Sequence, residues 1–360
     1  MQNTVSEWTL IIPTFCRPEF LRRSLSYYQA TVSVGLKVIV VDSSPEAFAQ
    51  QNINLIENIK SRRLLISYLR ADPSDQLFQK IKMALDVCET DYVGLVADDD
   101  LLLVGRAHFY IDILIHRSDI FSASGMVAKL NLDDLASSKR WSMKTFPQNL
   151  SVSASDRVGL QCHWLTTYLW SFYRTHQLQD LLNILSTVAP DRRDAFSEYF
   201  LYFLMVVTGK ISRGSHCSYV MVRHSTTETA KRAKLKESER MEQSEIALLG
   251  SEISNKALLE HLSGFYSSKN KAPFPENIDR ELRRFFGLGG GKMGFARTGD
   301  FPKDQNDGTL VFWFSRLAYL LACCRMLYIG KIPIAPSLST WLAFRDRKIL
   351  RNALRHICTD

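Results

Sequence analysis

None of the seven cysteines in this 360-residue chain stands in a C-x-x-C pair, and their number is odd. That speaks against a zinc knuckle and against a disulfide framework, and it fits a reducing compartment. The first ten residues, MQNTVSEWTL, hold neither a basic segment nor an apolar run, so they do not read as a signal peptide. There is no internal repeat and no long low-complexity tract. The net charge of +8 is spread along the chain, with a pI near 9.1. No basic stripe interleaved with aromatics and no known reader motif accompanies it, so a non-catalytic nucleic-acid-binding protein is kept only as an alternative reading. A basic surface still attracts partners that carry phosphate.

With 46% hydrophobic and 23% charged residues, the composition is that of a folded protein. The length calls for more than one small core. Residues 9–12 form a short apolar run closed by Pro13, and Pro18 suits the first turn of a helix. Phe20, Leu21, Leu25 and Tyr28 then recur at helical spacing, with Arg17, Arg22 and Arg23 expected on the polar side. Residues 37–41 (KVIVV) and 64–68 read as buried strands, and Leu77, Ile81, Leu85 and Cys88 mark another helical stripe. Residues 92–97 are the next strand. Residues 196–207 read as a largely buried helix ended by Gly209, and 219–222 as a strand. Strands alternating with helices predict βαβ units and a mainly parallel sheet. In such sheets, ligands sit beyond the carboxyl ends of the strands. Three polar signatures fall at those ends: Pro13-Thr14, Asp42-Ser43-Ser44 and Asp98-Asp99-Asp100.

Three consecutive carboxylates after a buried strand repel one another and are costly to desolvate. A hard divalent cation shared with a diphosphate would offset that repulsion. In an extended segment Asp98 and Asp100 would lie on one side and Asp99 on the other. The plain alternative is a solvated turn with one aspartate capping a helix. Asp42 could accept a hydrogen bond from a base or ribose, or simply close an Asx-turn before Pro45. Lys80 could bring a point charge to a diphosphate. The run Gly289-x-Gly291-x-x-Gly294 is no dinucleotide fingerprint, because a helical pattern precedes it, and Met293 after Lys292 breaks the P-loop pattern.

LIIPTFCRPEFLRRSL, VIVVDSS, the helix with Lys80, and DYVGLVADDD together resemble the successive motifs of GT-A glycosyltransferases, close to the inverting family 2. Some bacterial surface-polysaccharide enzymes of this group carry a similar ADDD. The resemblance covers about the first two-thirds of the chain. It implies a Rossmann-like α/β fold, with a GT-A catalytic domain over residues 1–228. Its nucleotide-sugar side would be about 1–125 and its acceptor side about 126–228. A mainly helical region over 229–360 follows, after a charged stretch at 230–245.

The resemblance also implies site roles. Pro13, Thr14, Phe15 and Arg17 would line the nucleotide pocket, and Asp42 with Ser43 would read the base or ribose. Lys80 would approach the diphosphate, together with Asp98 and Asp99. Asp98 and Asp100 would hold Mn²⁺ or Mg²⁺, with His224 as a further ligand. Glu198 is the first choice for catalytic base and Asp194 the second, although Asp194 could equally cap its helix. The donor would be a nucleotide diphospho-sugar, a UDP-sugar first, and the acceptor a glycan or lipid-linked hydroxyl. A sugar nucleotidyltransferase is the alternative enzyme, but PTFCRPEF lacks the glycines of its phosphate loop. A non-catalytic assembly scaffold is a further reading.

Residues 310–329 (LVFWFSRLAYLLACCRMLYI) match a bilayer span in length. Arg316 and Arg325 interrupt them, each at about 2.5–3.5 kcal/mol on insertion scales. A helix docked on the domain, or contact with a membrane surface through 310–356, is the expectation. The expected location is cytoplasmic, at the inner face of the membrane where that contact forms.

Overall fold

The computed structural model describes residues 8–32, 35–59, 61–132, 141–144, 148–154, 156–158, 169–188, 194–223, 263–264 and 266–267. The region 229–360 therefore lies almost wholly outside the described residues, as do His224, the glycine run and the apolar stretch at 310–329.

The chain opens as strictly alternating units. These are β1 (Trp8–Thr14), α1 (Pro18–Thr31), β2 (Leu36–Asp42), α2 (Glu46–Ile59), β3 (Leu64–Arg70), α3 (Leu77–Asp86) and β4 (Tyr92–Leu95). Next come β5 (Leu101–Leu102), a short 3₁₀ turn (Val104–Arg106), α4 (Ala107–His116), β6 (Ile120–Asn131) and β7 (Trp141–Lys144). The remaining elements are β8 (Phe172–Arg174), α5 (Thr175–Val188), α6 (Asp194–Thr208) and β9 (Lys210–Arg223). Pro18 opens α1 as expected, since its missing N–H is no loss in a first turn.

One nine-stranded sheet runs in the order β3-β2-β1-β4-β8-β6-β9-β5, with β7 paired to β6. Strands β1 to β4 are mutually parallel, and β6 and β9 point the same way; β5, β7 and β8 run against them. The mainly parallel α/β architecture read from the sequence is therefore the one observed. Alternate residues of the inner strands feed two cores, as a sheet covered on both faces requires. Ile11, Ile39, Val41, Val93 and Leu95 pack with Ile81, Leu181 and Phe203 of α3, α5 and α6. Leu10, Ile12, Val38 and Val40 pack on the other face with Leu21, Leu25, Ile56 and Ile111 of α1, α2 and α4.

Two details set up the strand ends. A Cβ on Gly94 would stand 2.7 Å from Leu102 and 3.0 Å from Trp8, so glycine lets β4 lie against both. Leu101, Leu102 and Leu103 are fully buried, which draws the chain back into the core straight after the aspartates. Strand β4 ends at Leu95, two residues short of the expected end, because Val96 and Ala97 already lead into the turn.

Candidate functional site

The strand order turns at β1: β2 and β3 lie to one side and β4 to the other. A parallel sheet opens a crevice at such a switch point, beyond the carboxyl ends of its two central strands. Here those ends carry Thr14 and the 98–100 turn. The Thr14 hydroxyl donates to Asp98 Oδ2 at 2.7 Å across the crevice.

The three aspartates diverge. Residues 97–100 form a turn closed by Asp100 N–H to Ala97 O at 3.1 Å. The side-to-side alternation expected of an extended segment does not apply there. Asp98 faces Thr14 and Arg17, whose Nη1 lies 3.4 Å from Asp98 Oδ1 and 3.0 Å from Asp99 Oδ2. Asp100 faces the other way. Its Oδ2 accepts from the Tyr219 hydroxyl at 2.5 Å and its Oδ1 from the Val222 N–H at 2.7 Å. Burial raises the Asp98 carboxyl to about 6; Arg17 opposes the rise and Asp99 adds to it. Burial, then Asp99, push the Asp100 carboxyl well above the usual carboxylate range, against the Tyr219 and Val222 donors.

Helix α1 holds this turn from below. The Ser24 hydroxyl bonds the carbonyls of Asp98 at 2.7 Å and Asp100 at 3.2 Å, and Arg23 Nη2 donates to the Asp99 carbonyl at 2.7 Å. Arg23 was expected on the polar side of α1, but it is buried. The carbonyls of a sharp turn need donors once they leave solvent, and Arg23 supplies one.

Asp42 ends β2 and is fully buried. It accepts from the Ser44 N–H at 2.7 Å, the Asn52 amide at 2.8 Å and the Tyr68 hydroxyl at 2.8 Å. The first of these is the Asx-turn that the sequence allowed. Three of its roughly four acceptor positions are thus filled by the protein. Ser43 beside it is buried, and its hydroxyl has no protein partner among the described residues. Cys16 adopts φ 54°, uncommon for a residue with a Cβ, and its N–H is held by the Ser44 hydroxyl at 2.7 Å. The Lys80 ammonium reaches the Thr14 carbonyl at 3.3 Å and lies 5.8 Å from the centre of the Phe15 ring. Phe15 itself is 45% exposed, an aromatic face open to solvent at the rim.

Pro13, Thr14, Phe15, Arg17, Asp42, Ser43, Lys80, Asp98 and Asp99 are therefore gathered at the carboxyl ends of adjacent strands. Asp100 joins them through the turn but directs its carboxylate to β9. Asp194 is the first residue of α6 and Glu198 lies in its second turn; their side chains lie outside the described set. Tyr68, Arg70 and Asn52 were not singled out in advance. The register sets Arg70 opposite Asp42, so reading β3 to its carboxyl end would have found Tyr68 and Arg70. Nothing in the sequence ties Tyr219 to Asp100 across such a separation.

Among the described residues no group of three or more His, Cys, Asp and Glu side chains forms a cation cage. What the turn offers is two carboxylate oxygens converging on one positive charge. That donor set fits Mg²⁺ or Mn²⁺ completed by phosphate and water rather than an all-protein site. Among the described residues, no helix is long and apolar enough to cross a membrane. A separate cavity of about 290 Å³ is lined by Ser118, Asp119, Phe121, Arg157 and Lys210. It lies at the starting ends of β6 and β9, the end of the sheet opposite the carboxylates.

No family model and no curated protein matches this chain. The chain is similar in structure to residues 1–349 of S. aureus TarS, at 16% identity and TM-score 0.45, over 79% of this chain and 72% of that one. The same fragment in complex with UDP gives 16% identity and TM-score 0.44 over 79% and 72%. Its complex with UDP-GlcNAc gives 17% and 0.42 over 78% and 86%.

Proposed function

We propose that the chain is a glycosyltransferase that moves a sugar from a nucleotide diphospho-sugar to an acceptor hydroxyl. One observation carries this reading: Thr14 and the 98–100 turn face each other across the switch-point crevice, with Asp42, Ser43 and Lys80 beside them. A nucleoside diphosphate suits that arrangement. The exposed Phe15 face can stack a base. The unpartnered Ser43 hydroxyl can bond it or its ribose. Lys80 and Arg17 bring positive charge to the diphosphate.

Asp98 and Asp99 would hold Mn²⁺ or Mg²⁺, and Asp100 would fix the turn that presents them. When bound, such a cation supplies Lewis-acid stabilisation of the leaving diphosphate. The expected pair, Asp98 with Asp100, is distinguished from this one by comparing Asp99→Asn with Asp100→Asn. Helix α6 carries the candidate base, Glu198 or Asp194, which would take the acceptor proton as the new glycosidic C–O bond forms. The bond from the anomeric carbon to phosphate oxygen breaks, and its electron pair leaves with the nucleoside diphosphate. In-line attack inverts the anomeric centre. UDP-sugars are the first donors to try, with glycan or lipid-linked acceptors at a membrane surface.

A panel of UDP-, GDP-, dTDP- and CMP-sugars, read by thermal shift with Mn²⁺ and then by release of nucleotide, tests the proposal. One nucleotide diphospho-sugar should raise the melting temperature and turn over, and Asp98→Asn should abolish both effects. Stabilisation by none of them, or release of inorganic pyrophosphate from a nucleoside triphosphate, would replace this reading.

A further inference from the structure

The seat between Asp98 and Asp99 is taken by a side chain. A single Arg17 nitrogen lies 3.4 Å from Asp98 Oδ1 and 3.0 Å from Asp99 Oδ2. Two neighbouring carboxylates that share one positive charge present the same electrostatic demand a divalent cation meets. The three side chains differ in freedom. Those of Asp98 and Asp99 are 6% and 13% exposed, whereas that of Arg17 is 34% exposed. Thr14 holds the Asp98 carboxylate, and Ser24 and Arg23 hold the backbone carbonyls of Asp98 and Asp99. Arg17 sits on a loop just ahead of α1, between Cys16 in the left-handed region and Pro18. Of this trio the guanidinium is the member with room to move into solvent.

We propose that Arg17 is the resident counter-ion of this site, which holds the Asp98–Asp99 seat against a divalent cation until a nucleoside diphosphate arrives with it. The inference rests on the glycosyltransferase reading above and adds an order of events to it. A cation arriving alone must take two carboxylates from Arg17 and give the guanidinium nothing in exchange. When cation and diphosphate arrive together, the guanidinium leaves the carboxylates for phosphate oxygens, which its planar fork matches. Arg17 thus acts through Asp98 and Asp99 as a positioning residue. Cation binding and nucleotide binding become coupled, and the coupling is reciprocal.

The test is Mn²⁺ binding to the full chain, followed by the EPR signal of free Mn²⁺, with and without UDP. Wild type, Arg17→Gln and Arg17→Lys are compared, each checked for folding by circular dichroism. With Mn²⁺ alone, Arg17→Gln should bind at least tenfold more tightly than wild type. Arg17→Lys, which keeps the charge, should stay within about threefold of wild type. UDP should tighten Mn²⁺ binding strongly in wild type and much less in Arg17→Gln. A melting curve gives a second readout: Mn²⁺ alone should stabilise Arg17→Gln and leave wild type unchanged. If Arg17→Gln binds Mn²⁺ alone no better than wild type while both bind it with UDP, the counter-ion role is overturned and the glycosyltransferase reading stands. If no form binds Mn²⁺ even with UDP, and UDP alone has no effect on melting, both are overturned.

Discussion

A carboxylate out of water keeps its charge only where donors or cations meet it. The carboxyls from Asp98 to Asp100 find such partners in separate ways, though burial still raises those of Asp98 and Asp100. Asp98 takes a hydroxyl and shares a guanidinium, Asp99 shares the same guanidinium, and Asp100 takes a phenol and a backbone N–H. Read as an extended segment, the sequence pairs Asp98 with Asp100 and sets Asp99 apart. The turn separates them, because a residue in a turn does not alternate sides as a residue in a strand does. Asp100 is the most dependent on a distant partner. Removing the Tyr219 hydroxyl leaves a buried carboxyl oxygen without its donor, which typically costs about 1–3 kcal/mol. Tyr219→Phe should therefore lower the unfolding free energy by that amount, read as a lower urea midpoint with an unchanged slope. An unaltered midpoint would mean that the 2.5 Å contact contributes nothing to holding the turn.

The elements were legible wherever periodicity was strong and local. The strands at 9–12, 37–41 and 64–68 and the helical stripe from Leu77 appear as β1, β2, β3 and α3, each strand running one or two residues further than its apolar run. That extension is physical: the parallel ladder goes on pairing through polar residues, so Thr14 pairs with Asp42 and Asp42 with Arg70. The gathering of polar residues at the strand ends, the candidate site, was legible for the same reason, since apolar runs stop where strands stop. Its second rank was not. Ser24, Arg23 and Tyr219 reach the 98–100 turn from α1 and β9, and only tertiary packing sets those contacts. Arg157 is a further case. It is buried, and its guanidinium donates to the carbonyls of Val206 and Val207 at the end of α6 and of Ser151 and Val152 in a neighbouring loop. The last carbonyls of a helix have no partners within it, and here one side chain satisfies two of them while tying a loop to the helix. Arg157→Met would strand those carbonyls and should cost roughly 3 kcal/mol in urea unfolding. Donor affinity should survive, since Arg157 lies at the end of the sheet away from the carboxylates. A loss of donor binding without a loss of stability would contradict that division.

Over the described residues, the chain joins a parallel half, β1 to β4 with their helices, to a mixed half built on β6, β8 and β9. The proposed donor side chains come almost entirely from the first half. The two halves meet through β8 along β4 and, beyond the carboxyl end of β4, through Asp100, which is bonded to Tyr219 and Val222 of β9. A ligand that settles on the 98–100 turn therefore loads a contact that ends in the other half. Ligand binding to the native state alone stabilises it by about 2.7 kcal/mol at a hundredfold excess over Kd. Hydrogen exchange reports where that stabilisation is felt, because local opening free energies differ along a chain. With UDP and Mn²⁺, slowed exchange is expected at 13–17, 42–44 and 97–103, where the ligand would sit. It is also expected at 219–222, which no ligand atom needs to touch. The Val222 amide is the most direct reporter, since its hydrogen is donated to Asp100 itself. In Asp100→Asn the protection at 219–222 should shrink while that at 42–44 remains. Protection confined to the first half in the wild type would show that the carboxylate turn and β9 respond to ligand independently.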